Sequence, residues 1–417
     1  MPTTTLPPSV TPQQRIEAPR LAVLPFSNES DLTEGDILAF GMVEDMVAAL
    51  SQGTAPFTPG GEAAAQLHTI AIPNVGGMEP PSGTCYLLEG AVVGNRASLR
   101  VTLRLVDAAQ GTTLWTESFV RPLAELSALQ TELVLAVAAR LEARVSEIEI
   151  RRVLRKPDDL SAWVSAMHSL SAFHRSDGES LVRAIAEARN ALQIAPDFGF
   201  AHALFASPAA IVYHYFSPDD PAEVRGIKNH VERALALDPD NARVLSHAAF
   251  ALAMLSQPEA ACRHAERAVR LGPGTGFAHF VLGSVCCMLN RFDEALEHFA
   301  NELRLSPRSP WRYVTFGWMA VAHACAGRWR EAMPFIDESL ALEPGYLYGL
   351  AMKAIVCRRE GRSSAANQAI TTLLRIEPQI SFNDWETRFS RLIGRCPAHV
   401  DMLHQLRMAW AEGNPGR

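Results

Sequence analysis

The sequence predicts an α+β N-terminal domain, a small sheet with helices, followed by an all-α solenoid of stacked helical hairpins. Three observations carry this. First, the amphipathic segment that starts at Arg291 stops at Pro307, and the same design recurs so that six helix ends run into Pro196, Pro239, Pro273, Pro307, Pro344 and Pro378, with steps of 43, 34, 34, 37 and 34 residues. A step of this length fits a repeated helix–turn–helix unit. Second, no convincing strand pattern appears after Asp158. Third, Gly94–Asn95 lies between two alternating segments, as a two-residue hairpin turn does.

The composition sets outer limits. A chain of 417 residues with 48% hydrophobic and 20% charged residues is globular and long enough for several domains. A net charge of −7 argues against a surface dedicated to nucleic acid, so no direct nucleic-acid binding is expected. The start of the chain has no basic and apolar leader pattern, and no run of about 18 apolar residues occurs, so no membrane span is expected. The seven cysteines show no Cys-x-x-Cys spacing and sit mostly in apolar helical surroundings. They read as reduced core residues of a cytoplasmic protein.

Taken in order, residues 1–19 carry five prolines among threonines and are expected to be disordered. Residues 20–122 form the α+β unit. Arg20–Phe26 is a short apolar run closed by proline and reads as a buried strand. Asp36–Gln52 reads as a helix with Ile37, Phe40, Val43, Val47 and Leu50 on one side and Asp36, Glu44 and Asp45 on the polar side. Residues 54–83 are rich in Gly, Pro and Ala, with a strand expected only near Leu67–Ile72. Cys85–Val93 and Ala97–Ala108 are the hairpin strands. In the second, Leu99, Val101, Leu103 and Leu105 point one way, and Arg100, Thr102 and Arg104 the other. Thr112–Val120 adds an antiparallel strand.

Residues 123–157 read as a long connecting helix, with Leu126, Leu129, Leu133, Val137, Leu141, Val145 and Ile148 at three- and four-residue spacing and Pro157 as its end. Residues 158–378 hold the repeats. The twelfth residue before each terminal proline is Ala184, Ile227, Ala261, Ala295, Ala332 and Ala366, and the twenty-fourth is Ala172, Tyr215, Ala249, Gly283, Ala320 and Ala354. Small residues at two fixed offsets let paired helices cross closely. Asn290, Gly327 and Gly361 fall at matching turn positions, where a left-handed backbone is expected. Ser217–Pro221 and Ser309–Trp311 carry the insertions that stretch two of the steps. Residues 379–417 are read as capping helices and tail, with Trp385, Phe389, Leu392, Leu403, Leu406 and Trp410 closing the end of the stack.

Residues 158–378 resemble the tetratricopeptide repeat family, most strongly from Asn241 to Pro378. Leu21–Asn28, Phe40–Val47, Tyr86–Val92 and Leu103–Trp115 resemble the TolB-like amino-terminal domain. That pairing implies the C-terminal half of bacterial winged-helix regulators or class III adenylate cyclases. The match covers most of residues 20–412 and departs in residues 54–83, where the family has a second strand and a basic–aromatic segment. A winged helix or a cyclase domain does not fit in the 19 proline-rich residues before the first strand, so the effector is expected on another chain or lost.

No stretch carries a catalytic signature, and neither a cofactor nor a metal is expected. Gly272–Gly276 is glycine-rich but follows a helix and lacks a lysine, so it reads as an inter-repeat turn rather than a phosphate cradle. Cys262/His264, Cys286/Cys287 and His323/Cys325 lack finger or ribbon spacing and read as core. Arg151–Lys156 reads as a solvated helix end, where positive charge is favourable. The thirteen histidines, His168, His174, His202 and His214 among them, have no elbow or zinc-helix partner motif.

The remaining candidate is the groove lined by the first helix of each repeat. Placing the family's repeat on this sequence puts Arg243, Ser246, Phe250, Phe277, Phe280, Ser284, Val321, Tyr348, Ile355, Arg358 and Arg359 there. Phe250, Val321 and Ile355 stand where a peptide-carboxylate clamp would need asparagine. A mostly apolar groove with arginines toward one end suits an amphipathic peptide or helix of a protein partner. The competing reading is that the protein's own cap or an inserted loop fills part of this surface.

Overall fold

The computed structural model describes residues 20–51, 68–71, 86–95, 97–140, 160–175, 177–216, 220–306 and 309–413. The N-terminal unit contains β1 (Arg20–Val23), β2 (Ser27–Asn28), α1 (Gly35–Ser51), β3 (His68–Ala71), β4 (Tyr86–Gly94), β5 (Ser98–Asp107) and β6 (Thr113–Pro122). Its sheet runs β3-β1-β4-β5-β6, and β2 adds to β4. The apolar β1 lies between β3 and β4 and is parallel to both. The β4–β5 hairpin is antiparallel, with Gly94 in the left-handed region at φ 151°. Leu99, Val101, Leu103 and Leu105 face the core, whereas Arg100 and Arg104 face out, as the alternation predicts.

A single 3₁₀ turn precedes α2 (Leu126–Arg140), whose Leu126, Leu129, Leu133 and Val137 are buried. The rest of the predicted connecting helix, with Leu141, Val145, Ile148 and the basic Arg151–Lys156, lies outside the described residues.

Six helical hairpins follow. They are α3 (Leu160–Arg175) with α4 (Gly178–Ile194), α5 (Gly199–Phe216) with α6 (Pro221–Leu237), and α7 (Ala242–Met254) with α8 (Pro258–Leu271). Then come α9 (Gly276–Met288) with α10 (Phe292–Leu305), α11 (Arg312–Cys325) with α12 (Trp329–Leu342), and α13 (Leu347–Arg359) with α14 (Ser363–Ile376). These are tetratricopeptide-type pairs, and the small positions act as expected. A Cβ placed on Gly283 of α9 would sit 2.8 Å from the Phe299 ring and 3.1 Å from the Ala295 carbonyl oxygen of α10. Asn290, Gly327 and Gly361 have φ of 63°, 78° and 76°. Ser256, one repeat earlier than Asn290, adopts the same conformation at φ 59°, with no glycine or asparagine to announce it.

Two expectations are corrected. Asp45 does not lie on a solvated face of α1: its side chain is 1% exposed. Both sides of α1 are covered, one by the sheet and the other by the first repeats, where a Cβ on Gly41 would meet the Trp163 ring of α3 at 2.5 Å. The N-terminal unit and the first repeats accordingly share one continuous apolar core. The second correction concerns the end of the chain. Helix α16 (His399–Gly413) closes the stack against α13 and α14, but α15 (Phe382–Ile393) turns back along the inner face toward α7 and α9.

The cysteines also depart from the uniformly reduced reading. Cys325 at the end of α11 and Cys396 in the α15–α16 connection form a disulfide, with Cα atoms 5.8 Å apart. Cys262, Cys286, Cys287 and Cys357 are free and buried.

Candidate functional site: the inner face of the repeats

The first helices of successive repeats, α5, α7, α9, α11 and α13, turn one face toward a common interior. Three parts of the chain occupy much of it. The first is the N-terminal unit. Arg243 of α7 donates to Asp45 of α1 at 2.8 Å, while Gln130 of α2 donates to the other oxygen of Asp45 at 3.1 Å. The Arg243 guanidinium also stacks over Phe200 at 4.5 Å. A buried carboxylate is tolerable only with such partners, because it has lost its hydration.

The second occupant is Trp311, carried by the insertion between α10 and α11. Its ring lies 4.9 Å from Phe173 and 5.6–6.0 Å from Phe250, Phe277 and Phe280. Adding residues to this connection thus puts a large aromatic side chain inside the groove at its N-terminal end.

The third occupant is α15. The capping box of Ser381 and Asp384 starts this amphipathic helix. Trp385 and Phe389 are buried against Tyr348 of α13, with ring centres 5.1 and 6.4 Å away. Arg388 lies over Tyr215 of α5 at 5.7 Å and donates to both oxygens of Glu377 at 2.9 and 3.0 Å. Beyond the helix, Asn290 donates to the Arg395 carbonyl at 2.9 Å, Arg395 pairs with Glu259, and the disulfide fixes Cys396. The turn residues that shape the repeats therefore also hold the connection after α15.

The eleven residues expected in the groove separate into distinct environments. Phe250, Phe280, Val321 and Tyr348 line a remaining cavity of about 450 Å³. Phe277 packs on Trp311 and borders a smaller cavity of about 170 Å³, which Arg243 and Ser246 also border. Ser246 and Ser284 are buried and donate back to carbonyls of their own helices, at Ala242 and Phe280. Ile355 is fully buried. Arg358 pairs with Glu412 at 2.8 Å, and Arg359 pairs with Asp401 while stacking over Trp329 at 4.5 Å. The two arginines at the C-terminal end are thus engaged by α16.

Sequence reasoning named His214 and Trp311 without giving either a place in the groove, and it missed Glu302. His214 of α5 is buried, bonded through Nε2 to the Tyr348 hydroxyl at 2.6 Å. Burial, followed by the positive charges of Arg391 and Arg388, lowers its pKa to about 3, so it is neutral at pH 7. Glu302 of α10 is 2% exposed, and its Oε2 has no hydrogen-bond partner among the described residues. Desolvation raises its pKa to about 7. The one available signal was weak: Glu302 occupies an otherwise apolar or small position near the end of its helix.

Several of the other histidines and cysteines do structural work. His202 and His279 donate from Nε2 to the carbonyls of Pro196 and Pro273, at 2.9 and 3.1 Å. Their Nδ1 atoms then accept from His230 and His298, at 2.9 and 3.0 Å. Each arrangement satisfies a carbonyl that the preceding helix end leaves open. Burial pushes the Cys262 thiol up to about 11 and the Cys287 thiol up to about 12, which leaves little thiolate for ligation or attack. Gly272–Gly276 is the connection between α8 and α9. Among the described residues, no group of three or more His, Cys, Asp or Glu is arranged to hold a metal ion, and no helix is long and apolar enough to cross a membrane.

No known family profile matches the chain. It is similar to a protein of Rhizobium meliloti (strain 1021) named "Putative adenylate cyclase 3", at 26% identity over 248 residues. That overlap covers 58% of this chain and 41% of the other, so the chain spans less than half of the curated relative it matches. Among solved structures, it overlaps Pseudomonas aeruginosa PilF at 22% identity and a TM-score of 0.39, covering 56% of this chain and 98% of that one. The human IFIT1 dimer with m7Gppp-AAAA overlaps at 14% identity and a TM-score of 0.46, covering 69% of this chain and 64% of that one. These overlaps assign no activity to the chain.

Proposed function

We propose that this protein is a non-enzymatic interaction module of signalling type, whose repeat groove accepts an amphipathic helix of a protein partner. One observation carries the reading: the inner face already holds such a helix, α15, through Trp385, Phe389 and Arg388. A surface that seats one amphipathic helix by aromatic anchors and a paired arginine has the chemistry to seat another. The resident helix then acts as a competitor, because binding a partner there requires α15 to leave.

The test uses a labelled synthetic peptide spanning residues 380–395. It is titrated against the wild-type chain and against a Trp385→Ala/Phe389→Ala variant, whose own α15 is weakened. Saturable binding to the variant, and much weaker binding to the wild type, is the expected result. Failure to bind a variant that retains its helical circular dichroism rejects the reading.

A second reading has its own support. The 26% match to the Rhizobium protein, together with the TolB-like pattern of the N-terminal unit, favours the regulatory half of an adenylate cyclase or winged-helix regulator. A cyclase or winged-helix frame adjacent to the coding sequence supports it, and unrelated neighbours count against it.

A further inference from the structure

The seating of α15 does not fill the inner face. A cavity of about 450 Å³ remains between this helix and the first helices of the later repeats. Its size falls within the range of small-molecule sites, which run from about 300 to 1,000 Å³ and are mostly apolar with few polar groups. Aromatic rings enclose it from several directions: Phe250 of α7, Phe280 of α9, Trp311 ahead of α11, Tyr348 of α13 and Phe389 of α15. The repeats alone do not complete this chamber, because Phe389, Leu392 and Ile393 of α15 supply one wall.

Its electrostatics select the ligand. Among the described residues, no lysine or arginine lines the cavity, and its two carboxylates are Glu343 and Glu377. Glu377 is already neutralised by Arg388, and Glu343 is exposed to solvent. An anion would therefore enter without a counterion, and desolvating it there is costly. A cation would meet the positive charges of Arg391 and Arg388, which add to burial in keeping His214 uncharged.

Its other polar side chains are uncharged: tyrosine hydroxyls, the Trp311 and Trp318 indole N–H groups and the His214–Tyr348 pair, in which His214 Nδ1, like Trp311 Nε1, is buried without a hydrogen-bond partner among the described residues. If Tyr348 donates to Nε2, its oxygen keeps a lone pair. If Nε2 carries the proton and donates, the Tyr348 hydroxyl hydrogen is left over. Either tautomer therefore leaves a hydrogen bond at Tyr348 that a hydroxyl, able to donate or to accept, can complete.

We propose that this cavity is a binding site for a small, uncharged aromatic molecule bearing a hydroxyl group. The proposal does not depend on a partner helix, and the peptide titration described above reports a separate event.

The experiment titrates the full-length chain with the neutral fluorophore N-phenyl-1-naphthylamine. The bound probe is then displaced with 2-naphthol, 2-naphthoate or 2-naphthylmethylammonium. Saturable one-to-one binding is expected, with 2-naphthol displacing the probe at least about tenfold more strongly than either charged analogue. Val321→Trp fills the cavity from α11 and Leu392→Trp fills it from α15. Each is expected to weaken probe binding by about tenfold or more. Val400→Trp, at a position 78% exposed on α16, should leave it unchanged. The two filling variants lie on different elements, so one readout survives if either perturbs folding. Absence of saturable binding overturns the proposal. So does unchanged affinity in a filling variant with wild-type circular dichroism, or displacement by a charged analogue equal to that by 2-naphthol.

Discussion

Arg243 of α7 and Asp45 of α1, 198 positions apart in sequence, are joined by a 2.8 Å ion pair. The pair is almost fully buried, with Asp45 1% and Arg243 11% exposed. It fixes the N-terminal unit on the repeats, with Gln130 donating to the Asp45 carboxylate and Phe200 stacked under the Arg243 guanidinium. Removing one member strands a buried charge, whereas removing both does not. Asp45→Ala should therefore lower the unfolding free energy by about 3–5 kcal/mol, and the Asp45→Leu/Arg243→Met double variant should recover most of that loss. Urea unfolding of the single and double variants checks this. Equal losses in Asp45→Ala and the double variant would contradict it.

The repeat geometry makes two backbone predictions of opposite sign. Gly283→Ala inserts a methyl 2.8 Å from the Phe299 ring and should cost about 1–3 kcal/mol by overpacking. Ser256→Gly relieves a left-handed residue at φ 59° and should be stabilising by about 0.5–1 kcal/mol relative to Ser256→Ala. Thermal melts of the three variants under one buffer condition decide both.

Glu302 makes stability depend on pH. Its folded pKa is raised to about 7 from an ordinary 4.5, so the folded state holds a proton that the unfolded state releases first. This contribution is fully present below pH 4.5 and is lost as pH rises through 7. Glu302→Gln removes the ionisation while keeping the shape. It should melt several degrees above wild type at pH 8, with the gap closing near pH 5. An identical gap at both pH values would show that Glu302 does not titrate in this window.

The Cys325–Cys396 bond ties the end of α11 to the residues just beyond α15, across a separation of 71 positions. Cys396→Ser should reduce stability by about 2–4 kcal/mol and loosen the seat of α15. Limited proteolysis should then cut the α15–α16 connection faster than in the wild type, and dithiothreitol should produce the same cleavage in the wild type. Unchanged cleavage under both conditions would remove the disulfide as a tether.

Much of the architecture is legible in the sequence because it rests on local rules. Pro239, Pro273, Pro344 and Pro378 follow helix ends, Ala295 and Gly283 mark a helix crossing, and Asn290, Gly327 and Gly361 mark turns. The hairpin strands follow from alternation at Leu99–Leu105. The groove residues are legible as positions but not as surroundings. Repeat register puts Arg358 and Arg359 on the first helix of the last hairpin, but it says nothing of Glu412 and Asp401, which meet them from α16. Asp45 is missed for the same reason: helical periodicity separates faces of one helix, and α1 is covered on both.

The sequence by itself determined a mixed N-terminal unit, the 34-residue rhythm of the hairpins and the apolar character of their inner face, since each depends on the spacing of neighbouring residues. Tertiary structure alone decided what occupies that face. Trp311 enters from an insertion, α15 folds back instead of extending the stack, and Asp45 reaches Arg243 from the other end of the chain. Those arrangements depend on long-range fit: buried charges must find their counterions and exposed aromatic walls must find cover. No local spacing records which distant segment will supply either.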